Sequence, residues 1–140
     1  MKGYKTNIEK DTTENMNFRK VAYTGEHLQL VMMSLEAGED IGEETHKDTD
    51  QFFRFEKGNG KCIIDGHTYT VTDGDVIIVP AGAKHNVFNT DEHAELKLYT
   101  LYAPPHHKDG IIRRTKEEAE NSKESFDWHT TEERQKVHLL

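Results

Sequence analysis

The sequence predicts an all-β fold, a sandwich or barrel of short strands followed by a polar, partly helical C-terminal tail. Three observations carry this prediction. Apolar and β-branched residues alternate in short runs between Arg19 and Tyr102, which suits half-buried strands. Gly, Asn and Asp clusters separate those runs, as in chains built from hairpins. A helix start signal, Thr115-Lys116-Glu117-Glu118, stands beyond the strand-stopping pair Pro104-Pro105.

Residues 1–18 are mostly polar, with Ile8, Met16 and Phe18 as isolated anchors, and are expected to lie along the body as an irregular arm or edge strand. From Arg19 the chain reads KVAYT, then a Gly25-Glu26 turn, then HLQLVMMSLE. In that second run Leu28, Leu30 and Met32 alternate with Gln29, Val31 and Met33, so both faces are apolar at its centre. It should be covered within by the core and outside by a second subunit.

Glu44 and His46 are two residues apart, which in a strand aims both side chains to one face while Thr45 points away. After a bend at HKDTD, the run QFFRFEKG turns Gln51, Phe53 and Phe55 inward and Phe52, Arg54 and Glu56 outward. Phe52 is then a contact for a second copy of the chain or for the N-terminal arm. Turns at Gly58-Asn59-Gly60 and Asp65-Gly66 bracket KCII, and HTYTV pairs with it as a hairpin. Val76 to Val79 suits a buried strand ended by Pro80-Ala81-Gly82, after which His85, Val87 and Asn89 share one face. ELKLYTLY, from Glu95 to Tyr102, closes the body. The expected division is an arm over 1–18, a barrel over 19–105 and a tail over 106–140, with a short helix through Glu120 and the rest of the tail polar apart from Phe126, Trp128 and the terminal leucines.

A chain of 140 residues holds one core, and it carries no internal repeat that would build a second barrel. Its 18 Lys+Arg against 26 Asp+Glu give a net charge of -8, which excludes a general basic surface for nucleic acid or anionic lipid. No apolar run approaches the ~18 residues of a membrane span, and MKGYKTNIEK lacks the apolar centre of a signal peptide, so a cytoplasmic protein is expected. The lone Cys62, in the alternating stretch KCIID, reads as a small core residue.

Two segments carry the chemistry. GDVIIVPAGAKHNVFN, from Gly74 to Asn89, fits the pattern G-x5-P-x-G-x2-H-x3-N at Gly74, Pro80, Gly82, His85 and Asn89. GEDIGEETHKDTDQFFRFEKG, from Gly38 to Gly58, fits the spacing of G-x5-H-x-H-x4-E-x6-G at Gly38, His46 and Gly58. These are the two motifs of the cupins, which the chain resembles over roughly residues 20 to 105. The resemblance implies a double-stranded β-helix, or jelly-roll barrel. It also implies a metal site at Glu44, His46, Gln51 and His85, where Glu44 stands at the family's first histidine and Gln51 at its glutamate.

Two imidazoles, a carboxylate and an amide oxygen suit a divalent Zn, Mn, Fe, Ni or Co ion. Moving the carboxylate from the third ligand position to the first keeps one negative charge, so the loaded site stays positive and favours an anionic or enolizable oxygen ligand. The chain is similar to small cupins related to mannose-6-phosphate isomerase, whose zinc is held by glutamine, histidine, glutamate and histidine. That points to Lewis-acid isomerase-like chemistry on a small polar metabolite. Lys84, Arg54 and Arg19 are the cations available to an anionic substrate, and Tyr99, Glu43 and His106 the groups available to shuttle a proton.

Two alternatives stand beside this reading. Glu44, His46 and His85 form the two-histidine, one-carboxylate set of non-haem iron dioxygenases, a common activity among cupins. A barrel that binds a small ligand or metal without turnover is the other. His67, His93, His106, His107, His129 and His138 share no ligand spacing, and His106-His107 is expected to be a solvated loop. A homodimer is expected.

Overall fold

A computed structural model describes residues 1–138, with side chains through residue 135, so Leu139 and Leu140 lie outside the described residues. Ten strands follow in order: β1 Arg19–Thr24, β2 Gln29–Leu35, β3 Glu44–Thr45, β4 Asp50–Lys57, β5 Gly60–Ile64, β6 His67–Val71, β7 Val76–Val79, β8 Lys84–Asn89, β9 Leu96–Ala103 and β10 Ile112–Arg113. They form two antiparallel sheets of order β10-β1-β2-β9-β4-β7 and β3-β8-β5-β6, the two walls of the expected jelly-roll barrel. The core lies between them. Val31, Met33, Phe53, Phe55 and Leu98 enter it from the larger sheet, and Cys62, Val71 and Val87 from the smaller.

Three glycine and asparagine positions of the motifs hold corners. A Cβ on Gly58, whose φ is +114°, would meet Glu95 O at 2.7 Å, so the end of β4 closes only without a side chain. Gly82, at φ +91°, donates its N–H to His46 O at 2.8 Å and pins the backbone of a site residue. The buried Asn89 amide donates to the carbonyls of Leu35, Glu36 and Ala94, tying the ends of three strands.

Four elements differ from the sequence reading. The N-terminal segment is not an irregular arm throughout: it contains helix α1, Ile8–Glu14, whose N-cap Asn7 accepts a hydrogen bond from Lys10 N. This helix packs on β9 and β4, and Asn15 O behind it accepts from the buried Lys97 Nζ. Part of the outer face of the large sheet, at β9 and β4, is therefore covered by the chain itself. β7 is not a buried strand. It lies at the sheet edge, where Val79 is buried but Val76 and Ile78 are 44% and 65% exposed.

The tail contains the expected helix, α2 Lys116–Glu120, with Thr115 capping Glu118 N. It contributes β10 and a second helix as well, α3 Thr131–His138. Polar contacts dock α3: Thr131 Oγ1 accepts from Thr24 N at 2.8 Å, and Glu132 accepts from Gly3 N and Tyr23 Oη. Among the described residues no helix is long and apolar enough to cross a membrane.

Candidate metal centre

Glu44 stands directly opposite His85 in the β3–β8 pair, which turns both side chains to the same face of the smaller sheet. His46 follows β3, buried and held by the Gly82 contact. From the facing sheet come Gln51 and Tyr102, opposite one another across β4–β9, and Thr100 on the same inner face. The four sequence-predicted residues thus meet inside one end of the barrel.

His46 connects the two halves. Its ring centroid lies 5.3 Å from that of His85 and 4.3 Å from that of His106. Donor atoms of Glu44, His46 and His106 all lie within 4.8 Å of one another. The expectation of a solvated loop at His106-His107 is therefore overturned: His106 is half-buried in the site and His107 is buried behind it. The cause is the Gln29 side chain on β2. Its Oε1 accepts from the backbone N–H of His106 at 3.1 Å and of His107 at 2.9 Å, while its Nε2 donates to His107 O at 2.7 Å. Phe126 N donates to His106 O from the tail, closing the segment from the other side.

Hydrogen bonding leaves lone pairs turned toward one another. His85 Nδ1 lies 3.0 Å from Ala83 O, and a carbonyl only accepts, so the proton is on Nδ1 and Nε2 carries a lone pair. Burial holds the His85 pKa below its ordinary value, which favours the neutral ring. Gln51 Nε2 donates to Thr100 Oγ1 at 2.9 Å, which turns Gln51 Oε1 to within 3.1 Å of His85 Nε2. Glu44 Oε2 lies 2.8 Å from His46 Nε2, yet outside the direction of an Nε2–H bond, so that buried nitrogen has no hydrogen-bond partner.

A cation is the partner that His85 Nε2 and Gln51 Oε1, two facing acceptors, and the unpartnered His46 Nε2 have in common. The separations resemble those of neighbouring donors on one ion with bonds of about 2.1 Å. A divalent cation thus fits the residues present, with Glu44, His46 and His106 as the compact part of the donor set and Gln51 and His85 adjoining it.

The remaining electrostatics agree with ligand roles. Burial opposes charge on Glu44, but His46 and Arg19 outweigh it and hold the carboxyl below its ordinary pKa. Burial pushes His106 down to about 4, leaving its imidazole neutral at pH 7. Tyr102 is fully buried and its pKa is raised, so its phenol stays protonated and donates to His107 Nε2 at 3.2 Å.

The other residues named from sequence lie outside this cluster. Arg54 pairs with Glu56, Lys84 pairs with Glu43 on the outside of β8, and Tyr99 packs against Phe52 on the outer face. Gln29, Tyr102, Thr100 and His107 were not legible as site residues. Only the inward phase of their strands marked the first three.

Residues 31–102 match the family model described as Cupin domain. The chain is 43% identical over 124 residues to the uncharacterized protein YrkC of Bacillus subtilis (strain 168), covering 84% of this chain and 66% of that one. It is 40% identical over 112 residues to the uncharacterized protein L612 of Acanthamoeba polyphaga mimivirus, covering 78% of this chain and 70% of that one. The chain thus spans just under two thirds of the length of the first of these relatives. The crystal structure of BH2720 from Bacillus halodurans superimposes with a TM-score of 0.84 at 41% identity, covering 86% of this chain and 96% of that one.

Proposed function

The chain belongs to the cupin family, and from that premise we propose that it is a divalent-metal enzyme acting on a small oxygenated metabolite in the cytoplasm. The observation that carries the reading is the convergence of ligand atoms inside one barrel: those of Glu44, His46 and His106 lie within 4.8 Å of one another, and Gln51 Oε1 and His85 Nε2 adjoin them. Bound there, a divalent ion supplies Lewis-acid polarisation of a carbonyl or hydroxyl oxygen.

The chain's own residues prepare that step. Ala83 O orients His85, Thr100 orients Gln51, and Gln29 fixes the backbone that delivers His106. Glu44 contributes the one negative charge of the donor set, so the loaded site remains positive and attracts an oxyanion. His106, with its pKa near 4, serves as a ligand and not as a base at neutral pH.

Isomerase-like chemistry is the first reading, because Glu44, His46, Gln51 and His85 are the ligand types, with glutamine and glutamate exchanged, of the mannose-6-phosphate isomerases that the motifs resemble. Oxygen activation is the second, supported by the compact cluster of two histidines and one carboxylate at Glu44, His46 and His106. The metal-loaded protein assayed with small hydroxy-aldehydes, ketoses and diols, with and without oxygen, separates them. Turnover that proceeds anaerobically supports the first reading. Stoichiometric oxygen uptake replaces it with the second, and no turnover under either atmosphere rejects both. The protein is further proposed to be a homodimer, for which the exposed Val76 and Ile78 on the edge strand β7 offer an apolar contact. A monomer mass by light scattering at micromolar concentration rejects this.

A further inference from the structure

The larger sheet carries two arginines that point into the barrel. Arg19 pairs with the core residue Met33 on one side and with Arg113 on the other, so the three side chains share the inner face, while Lys20 and Ile112 take the outer one. Arg19 Nε and Arg113 Nη2 are both buried and without a hydrogen-bond partner. Among the described residues Arg19 forms no ion pair. Its guanidinium rests 5.3 Å from the ring centre of Phe18. Arg113 Nη2 is 3.8 Å from Glu124 Oε1, beyond hydrogen-bond reach. Each guanidinium thus keeps one buried N–H without a partner, which is costly in a folded protein unless an anion accepts from it.

Arg19 is also close enough to act electrostatically on Glu44, Tyr102, His106 and His107. Met33, opposite Arg19, shares the inner face of β2 with Gln29, which stands opposite Tyr102, so Arg19 and the metal centre face the same interior. A divalent ion and Arg19 outweigh Glu44, while Glu124 stands against Arg113, so the interior keeps a positive excess that calls for an anionic ligand. A planar guanidinium fork matches a carboxylate or a phosphate through paired N–H bonds.

We propose that Arg19, backed by Arg113, is the anion-recognition pair of the barrel, holding the carboxylate or phosphate of the small molecule whose other oxygens face the Glu44–His46–His106 cluster. The proposal deepens the metal-enzyme reading and rests on it for the second half of the ligand.

Oxalate and inorganic phosphate, titrated calorimetrically into the metal-loaded wild type, R19Q, R19K and R113Q, with the metal content of each measured in parallel, test it. One probe should bind the wild type, and R19Q should weaken that binding by about tenfold or more at unchanged metal content. R19K and R113Q should fall between. Preference for oxalate assigns a carboxylate ligand, and preference for phosphate assigns a phosphorylated one.

Without any anion, R19M should melt close to the wild-type temperature, because it removes a buried Nε–H that has no partner and keeps the side-chain volume. Full metal content with equal probe binding in wild type and R19Q overturns the arginine pair and leaves the metal centre standing. Probe binding that R19Q abolishes in a protein that takes up no metal supports the pair and removes the metal centre. Failure of both probes to bind the metal-loaded wild type, or an R19M protein that melts several degrees lower, overturns the proposal.

Discussion

Gln29 and His107 exchange two hydrogen bonds, His107 N to Gln29 Oε1 at 2.9 Å and Gln29 Nε2 to His107 O at 2.7 Å, across 78 residues of sequence. Gln29 also accepts from His106 N and donates to Thr24 Oγ1, so one buried amide holds the segment that brings His106 to the metal centre. Gln29→Leu keeps the volume and leaves several buried backbone groups unpaired. It should cost on the order of 3 kcal/mol in urea unfolding and weaken metal binding as well. Unchanged metal affinity in a destabilised variant would show that the clamp serves the fold alone.

His106→Ala removes a half-buried imidazole from the donor cluster without opening the apolar core. Metal affinity should fall by at least about a hundredfold, as for His46→Ala, with little loss of stability. His85→Ala should likewise empty the site with little unfolding. Full occupancy in His106→Ala, with loss in His85→Ala, would return the site to the four residues named from the motifs alone.

The metal-free protein should lose stability as pH falls from about 6.5 toward 4. Burial lowers the pKa values of His85, His106 and His107 in the folded chain, His106 to about 4 from an ordinary 6.5. Unfolded histidines therefore take up protons first, and each proton bound only by the unfolded chain favours unfolding. Stability contributed by these groups is complete above the unfolded value and gone below the folded one. His106 alone should account for on the order of 2 kcal/mol after allowance for its partial exposure. Glu44, whose carboxyl is held below its ordinary value, adds a loss of the same sign at lower pH. Urea midpoints that stay flat between pH 7 and pH 4 would contradict the burial of the histidines.

Cys62 is fully buried in the core, and burial pushes its thiol up to about 11. A chromogenic disulfide reagent at pH 8 should leave the native protein unmodified and titrate one thiol in denaturant. Rapid reaction of the native protein would mean that the barrel opens locally at β5.

The strands were legible because period-two patterning and turn residues act locally, and nine strand runs fall where the alternation put them. The metal motifs were legible for a related reason: two residues apart on a strand is one face, whatever the rest of the chain does. His106 was not. Two adjacent histidines after two prolines read as solvated until Gln29, 77 residues earlier, captures their backbone. The inward direction of Arg19 depends on its register against Met33, and the exposure of Ile78 on β7 lying at an edge, both properties of the assembled sheet. Helices α1 and α3 lack a strong apolar stripe and are held by caps and polar docking, which a periodicity reading does not detect.

Elemental analysis of the protein purified without added metal or chelator, beside Glu44→Ala, tests the central claim most directly. A near-stoichiometric divalent ion in the wild type that is lost in the variant is the predicted result, since Glu44 supplies the only carboxylate of the donor cluster. A wild-type protein that contains no metal and takes none up, or a Glu44→Ala protein with equal occupancy, would contradict it.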